Sequence, residues 1–183
     1  DGVIETALPG GCKPLGSDWA LQNPADWLAA MEAAISAILR KRKSAAEAVA
    51  GIGIDFTSCT ILPVKMSGTP LCTLGKFKEH PHAWVKLWKH HAAAPQAARI
   101  SELAEKRREK WLPRYGGFIS SEWVMPKALQ ILEEDPVVYR EADLIIEGGD
   151  WIAWQLTGNL TRNTCAAGYK GTWSKAGGFP GEE

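Results

Sequence analysis

The sequence predicts an α/β fold, because stretches with helical hydrophobic spacing alternate along it with short apolar runs typical of buried strands. The chain has 183 residues, enough for one domain or for one large piece of a bigger protein. Hydrophobic residues make up 45% of it and charged residues 23%, the usual proportions for a protein with a folded core. This composition excludes disorder along the whole chain.

An extended segment and a helix are predicted first. Residues 1–22 are rich in Gly and Pro, which favours an extended entry segment. Asn23 is a good N-cap, and Pro24 suits the first position of a helix. The apolar residues that follow recur at helical spacing: Trp27, Leu28, Met31, Ile35, Ile38 and Leu39. The basic run at 40–43 suits the negative end of the helix dipole, an interpretation we prefer to a nucleic-acid patch.

A buried strand and a hairpin are predicted next. Residues 49–56 form a short apolar run that contains glycines and is bounded by polar residues, which predicts a buried strand. Two further apolar runs, 60–64 and 70–74, flank a glycine turn at 66–69. This pattern indicates a hairpin.

Three amphipathic helical stretches are predicted within residues 83–134. Their marker residues are Trp84, Val85, Leu87 and Trp88 for the first, Ile100, Leu103 and Ala104 for the second, and Trp123, Val124, Ala128, Leu129, Ile131 and Leu132 for the third. We expect Ser121 to cap the third helix and Pro126 to delay its start or to kink it.

The C-terminal part adds one strand and one helix. Residues 144–146 predict another buried strand, and residues 150–156 predict a short helix that ends at Gly158. The tail from 159 to 183 contains five glycines and is expected to be mostly polar loop.

Charge and cysteine usage narrow the class of protein. Lys plus Arg and Asp plus Glu each total 21, so no basic excess points to nucleic acid. No apolar run approaches the roughly 20 residues of a membrane span, and we expect no secretory leader. The four cysteines, Cys12, Cys59, Cys72 and Cys165, are never in a C-x-x-C pair. We interpret them as free thiols in a reducing compartment, which favours the cytoplasm.

Familiar site motifs are weak or absent. The four histidines, His80, His82, His90 and His91, invite a zinc hypothesis, but their spacing favours partly exposed histidines at helix ends. No P-loop and no G-x-S-x-G elbow occurs, and the glycines at 51 and 53 lack the third glycine of a dinucleotide fingerprint. From the residues alone, the chain is an α/β domain with weak site signals.

Several stretches together carry a resemblance to a known family. They are 51–60 (GIGIDFTSCT), 81–93 (PHAWVKLWKHHAA), 115–123 around Tyr115-Gly116-Gly117 and Ile119-Ser120-Ser121-Glu122-Trp123, 150–158 around Asp150-Trp151-Ile152 and Leu156-Thr157-Gly158, and 167–170 (AGYK). In this order and spacing the chain resembles the FGGY carbohydrate kinases, and the Trp-Lys-His-His stretch resembles the ribulokinase branch of that family.

The resemblance implies an actin-like, ribonuclease-H-like α/β fold, here part of the N-terminal sugar-binding domain. It implies transfer of the terminal phosphoryl group of ATP, with Mg²⁺, to the C5 hydroxyl of L-ribulose, giving L-ribulose 5-phosphate in L-arabinose breakdown. Such chemistry needs an in-line hydroxyl, charge neutralisation and a carboxylate that accepts the proton.

The resemblance also implies that residues 1–183 are only part of that N-terminal domain. The family's first strands with the phosphate turn are expected before Asp1, and its catalytic aspartate and C-terminal ATP domain after Glu183. We therefore expect no catalytic residue in this chain and no turnover by the chain alone, with no ATP or Mg²⁺ bound to it. Asp55 is expected to have a structural hydrogen-bonding role rather than to act as the base.

Three residues match the family's sugar pocket. Trp88 would offer a flat face to an open-chain ketopentose, although core packing is the alternative for a tryptophan. Lys170 would donate to sugar oxygens, the alternative being a solvated loop lysine. Ser58, just past a predicted strand, would approach the sugar mainly through its backbone.

Two other classes of function stay open. One is a non-catalytic sugar-binding or regulatory module that keeps the pocket. The other is a structural or association fragment, in which an unpaired strand at 49–56 drives homo-oligomers or marginal stability.

Overall fold

A computed structural model describes residues 2–42 and 45–181. The strands are β1 (Val3–Ile4), β2 (Leu21–Gln22), β3 (Ile61–Val64), β4 (Val85–Lys86) and β5 (Leu144–Glu147). The α-helices are α1 (Pro24–Lys41), α2 (Ala45–Ala48), α3 (Ala94–Lys106), α4 (Val124–Glu134), α5 (Pro136–Glu141), α6 (Gly148–Thr157) and α7 (Thr164–Lys170). Short 3₁₀ turns lie at Leu71–Thr73, Gly75–Phe77, Pro81–Ala83 and Leu112–Tyr115.

The five strands form one antiparallel sheet in the order β1-β2-β4-β3-β5. Ile61, the first residue of β3, lies opposite the last residue of β4, Lys86, and the last residue of β5, Glu147. The start of β3 therefore meets the ends of both its neighbours. We call this place the Ile61 end of the sheet.

Helices cover both faces of the sheet. Ile145 and Ile146 are neighbours on β5, yet they pack into different apolar clusters, because successive strand side chains point to opposite faces. Ile145 packs with Ile131 of α4 and Val138 of α5. Ile146 packs with Trp151 of α6 and, through that cluster, with residues of α1. The sheet thus lies between α4 and α5 on one face and α1 and α6 on the other.

The predicted helix signals at both ends of the chain are confirmed. The Asn23 side chain accepts a hydrogen bond from the N–H of Ala25, and α1 begins at Pro24. Gly158 has the left-handed φ of 71° that ends α6. Strand β5 lies where it was predicted, and α4 starts late, with Pro126 in its first turn. Lys43, in the predicted basic run, lies outside the described residues.

The strand predicted at 49–56 is wrong. This segment has no regular secondary structure, and three of its apolar side chains are exposed, Val49 at 58%, Ile52 at 65% and Ile54 at 41%. No strand of the described sheet pairs with this segment. Only Phe56, at its end, packs inward, against the ring of Trp27.

Other local predictions also need correction. Residues 84–88 are not helical, because Val85 and Lys86 form β4 in the middle of the sheet. Ser121 does not cap α4, whose N-cap position is Trp123. The second arm of the predicted hairpin is reduced to a bridge between Val64 and Pro70. The tail contains the helix α7 within its loops.

The histidine prediction is wrong for two of the four. His90 is fully buried: its Nδ1 accepts from the N–H of Ala20, and its Nε2 lies 2.9 Å from Oε1 of Gln130. His82 is also buried, and burial lowers the pKa of both imidazoles, to about 3 for His82 and about 2 for His90. These rings belong to the core as neutral groups.

Among the helices within residues 2–42 and 45–181, none combines the length and hydropathy that a membrane span requires.

Candidate functional site

Polar groups from four elements converge at the Ile61 end of the sheet. Cys59 and Thr60 lead into β3, Leu87 and Trp88 follow β4, and Glu147 ends β5. Because β3 is antiparallel to both neighbours, these positions must lie side by side. Helix α4 adds a buried lysine from the face that covers the sheet.

The buried lysine is Lys127, which has no exposed surface. Its Nζ donates to the carbonyl oxygen of Cys59 at 2.7 Å and to that of Leu87 at 2.6 Å. Burial lowers the pKa of this ammonium group to about 8. Lys127 therefore joins the loop that carries Ser58 to the loop that carries Trp88.

Glu147 binds the backbone N–H of Cys59, whose carbonyl oxygen is bound by Lys127. Its Oε2 accepts a hydrogen bond of 2.8 Å from the Cys59 N–H, while its buried Oε1 has no partner among the described residues. Burial raises the pKa of this carboxyl to about 7. Cys59 itself has a φ of 66°, a left-handed conformation that is unusual for a residue with a Cβ. The N–H and C=O of this strained residue are thus both bound by side chains.

Lys170, at the end of α7, is linked to the same place by a second chain of contacts. Its Nζ lies 3.7 Å from Oε2 of Glu122, and Oε1 of Glu122 lies 3.7 Å from Nε2 of His91. His91 follows Trp88 by three residues, and its N–H donates to the carbonyl oxygen of Asp18. Glu122 therefore lies between the predicted sugar lysine and the Trp88 loop.

Two of the three predicted residues, Ser58 and Lys170, line neighbouring cavities, whereas Trp88 lines neither of them. Half-buried Ser58 lines a cavity of about 430 Å³ with Asn163 and Cys165. Lys170 lines an open cleft of about 690 Å³ whose walls carry five aromatic side chains: Tyr115, Phe118, Trp123, Tyr169 and Trp173. Tyr169 lines both spaces.

Lys127 joins the loops of Ser58 and Trp88, whereas Lys170 is linked to the Trp88 loop through Glu122 and His91. Trp88 is 44% exposed, which argues against its alternative role as a core residue. Asp55 is exposed and makes no hydrogen bond or ion pair with any residue that the structure describes. The structural role expected for Asp55 is not seen.

Sequence reasoning missed Lys127, Glu147 and Glu122. A signal for Lys127 was present: it stands one turn before Ile131, among the apolar residues that mark the buried face of α4. A charge at such a position is rarely buried without a partner. Glu147 likewise continues the apolar run 144–146 directly into a carboxylate.

A metal site is not formed by the described residues. No group of three or more His, Cys, Asp or Glu side chains within 2–42 and 45–181 is placed to hold an ion.

A sheet with helices on both faces and polar groups at its strand ends is common to many α/β domains, so the family must be identified by comparison with known proteins. Residues 13–173 match the N-terminal domain of the FGGY family of carbohydrate kinases, and the chain belongs to this family. The predicted actin-like α/β fold class is confirmed. A crystal structure of a xyloylose kinase from Brucella ovis shares the fold, with a TM-score of 0.63 over 83% of this chain and 31% of that one, at 16% identity.

Similar sequences carry the name Ribulokinase. One from Anoxybacillus flavithermus is 50% identical over 182 residues, which is 100% of this chain and 32% of that protein. One from Mycolicibacterium smegmatis is 52% identical over 170 residues, or 92% of this chain and 30% of that protein. The chain spans about a third of the length of the curated relatives it matches.

Proposed function

We propose that this chain is the sugar-side part of a cytoplasmic, ATP-dependent kinase that phosphorylates L-ribulose to L-ribulose 5-phosphate in L-arabinose breakdown. The proposal is supported by relatives that carry the name Ribulokinase and are about 50% identical along the whole chain. The similarity to these relatives says more about the substrate than family membership does, because the FGGY family is a family of carbohydrate kinases in general.

The observation that carries the proposal is the convergence at the Ile61 end of the sheet. Lys127 holds the residues beside Ser58 and Trp88 next to each other, and Glu122 connects Lys170 to the Trp88 loop through His91. In this proposal the exposed Trp88 ring stacks on the carbon chain of the ketopentose. Lys170 donates to its hydroxyl oxygens, and the backbone at Ser58 limits its position.

The phosphoryl-transfer parts belong, in this proposal, to chain beyond residues 1–183. The chain spans about a third of its relatives, and the side chains described here form no metal-binding group. ATP, Mg²⁺ and the catalytic carboxylate are then contributed by the rest of the protein. The 183-residue chain alone is expected to show no turnover with ATP and L-ribulose.

The test replaces Lys170 with Met in the full-length kinase. Met keeps much of the stem length and removes the charged donor, whose hydrogen bond to a sugar oxygen is worth about 1.5–3 kcal/mol. We therefore expect kcat/KM for L-ribulose to fall roughly 10- to 150-fold, with the KM for ATP unchanged. Lys175→Met, an exposed lysine five residues further on, is the matched control and should leave both values unchanged. Steady-state kinetics within twofold of wild type for Lys170→Met would decide for a solvated loop lysine.

One observation favours the association fragment as a second candidate. The exposed apolar side chains of residues 49–54 belong to a segment without ladder hydrogen bonds, which a second chain could supply. Sedimentation of the 183-residue chain over a hundredfold concentration range tests this. Oligomers that are unaffected by L-ribulose and that dissociate in the Ile52→Lys variant would support this candidate. A monomer that melts cooperatively at high concentration would count against it.

A further inference from the structure

Cys59 is held at the site through its backbone, because side chains bind both its N–H and its C=O. Its backbone has the left-handed φ of 66°, and it is fully buried. Such a conformation persists in a non-glycine residue only where the surroundings determine it strongly. Here the surroundings are two side chains, Glu147 on the N–H and Lys127 on the C=O.

This clamp has a direct consequence for the neighbouring residues. The Cys59 N–H belongs to the peptide that follows Ser58, so Glu147 fixes the orientation of the Ser58 carbonyl. The second hydrogen bond of Lys127, to the Leu87 carbonyl, fixes the peptide that leads into Trp88. One amine therefore sets the separation between the two loops.

We infer that Lys127 and Glu147 are positioning residues of the sugar site, which hold the Ser58 backbone and the Trp88 ring at the spacing of a bound ketopentose. This inference rests on the proposed function. Lys127 has no exposed surface and cannot touch a sugar, whereas Glu147, although only 5% exposed, lines the cavity that Ser58 also lines. Both act through the backbone, and neither is a catalytic residue.

A merely structural role predicts a different result. Three lysines offer the comparison, because Lys127, Lys86 and Lys65 all lie in or beside the sheet. Lys86 is equally buried but bonds to no backbone carbonyl that the structure describes, and Lys65 bonds to the carbonyl of Glu141 at the opposite end of β3. If Lys127 only supports the fold, replacing any of the three should leave the KM for sugar unchanged in the folded fraction.

The experiment uses the full-length kinase with Lys127→Met, Lys127→Gln, Lys86→Met and Lys65→Met. For Lys127→Met we expect the KM for L-ribulose to rise at least tenfold while the KM for ATP stays within twofold. Gln retains two N–H donors on a shorter stem, so Lys127→Gln should recover part of the loss. The two control variants should keep the wild-type KM for L-ribulose.

The outcomes separate this inference from the proposed function. A wild-type enzyme without activity on L-ribulose overturns the proposed function. A wild-type enzyme active on L-ribulose, with Lys127→Met and Lys127→Gln both within twofold of its KM, overturns the positioning role alone. Should Lys127→Met not fold by circular dichroism, the KM of Lys127→Gln decides: a threefold or greater rise supports the inference, and a smaller change contradicts it.

Discussion

Two lysines of this domain are equally buried but have opposite surroundings. Lys127, on α4, has two carbonyl oxygens within 2.7 Å of its Nζ. Lys86, on β4, has its Nζ 3.4 Å from Nε2 of His90 and 4.2 Å from the centre of the Trp19 ring. Burial lowers the pKa of both, to about 8 for Lys127 and well below the ordinary range for Lys86.

The position of the proton on the His90 ring explains why this ring offers Lys86 no hydrogen-bond acceptor. The Ala20 N–H donates to Nδ1, so the proton of the neutral ring lies on Nε2, where it can be donated to Oε1 of Gln130. That leaves Nε2 without a lone pair for the Lys86 amine, whose charge is attracted by the face of Trp19 and by the carboxylates of Glu134 and Asp135. Lys127 and Lys86 therefore differ in their hydrogen-bond acceptors and not in their depth of burial.

The largest expected effect is the loss of stability in Lys127→Met. Two buried carbonyl groups lose their donor, and each unsatisfied group costs about 1–3 kcal/mol, partly offset by removal of a buried amine. We expect the free energy of unfolding of the 183-residue chain to fall by about 2–4 kcal/mol. Urea unfolding at pH 8 measures it. A loss below 0.5 kcal/mol would mean that the two hydrogen bonds contribute nothing, and the contrast with Lys86 would collapse.

The next effect has the opposite sign. Lys86→Met replaces a buried amine by an apolar side chain of similar length, a change that is often neutral or stabilising by about 1–4 kcal/mol. We expect a gain of about 1–3 kcal/mol at pH 7, measured by the same urea unfolding. Destabilisation instead would show that the contact with Trp19 supports the core.

Glu147→Gln tests the partner of Cys59 by its pH dependence. Because the pKa of Glu147 is raised from 4.5 to about 7, the folded state binds a proton between these values that the unfolded state does not. Glu147 therefore adds stability as the pH falls through 7, whereas Gln does not titrate. The wild type should gain about 2 kcal/mol over the variant between pH 7.5 and pH 5. Parallel stability curves for the two proteins would contradict the raised pKa.

The smallest expected effect is that of Lys65→Met at the opposite end of β3. The Lys65 side chain is 31% exposed, and its ion pairs with Glu141 and Asp143 are partly solvated. Such pairs contribute about 0–1 kcal/mol, so we expect a loss within that range. Comparing the melting temperatures of Lys65→Met and Lys127→Met measures how much of the difference in their stability is due to burial.

The parts of the fold that could be predicted are those with local signals. A few adjacent residues determine the N-cap at Asn23, the end of α6 at Gly158 and the late start of α4, which has Pro126 in its first turn. The strand expected at 49–56 was wrong because an apolar run shows that burial is favourable without showing what covers it. Burial in a sheet also needs a neighbouring strand to accept its hydrogen bonds.

The candidate site was only partly predictable for a related reason. Ser58, Trp88 and Lys170 came from motifs, and they stay predictions until sugar binding is measured. The side chains that hold their loops act over long distances in sequence, 68 residues from Lys127 to Cys59 and 88 from Glu147 to Cys59. No periodicity within one element indicates such a contact.

Two of the four cysteines are buried and two are exposed, which permits selective labelling with a fluorescent dye. Burial raises the pKa of the Cys59 thiol to about 11 and that of Cys72 to about 12, so both stay protonated and unreactive at neutral pH. Cys12 and Cys165 are exposed, and a maleimide dye should attach to these two alone. With Cys12 replaced by Ser, the remaining dye at Cys165 stands at the wall of the cavity that Ser58 lines. Its fluorescence would then report the arrival of a sugar without any enzymatic turnover.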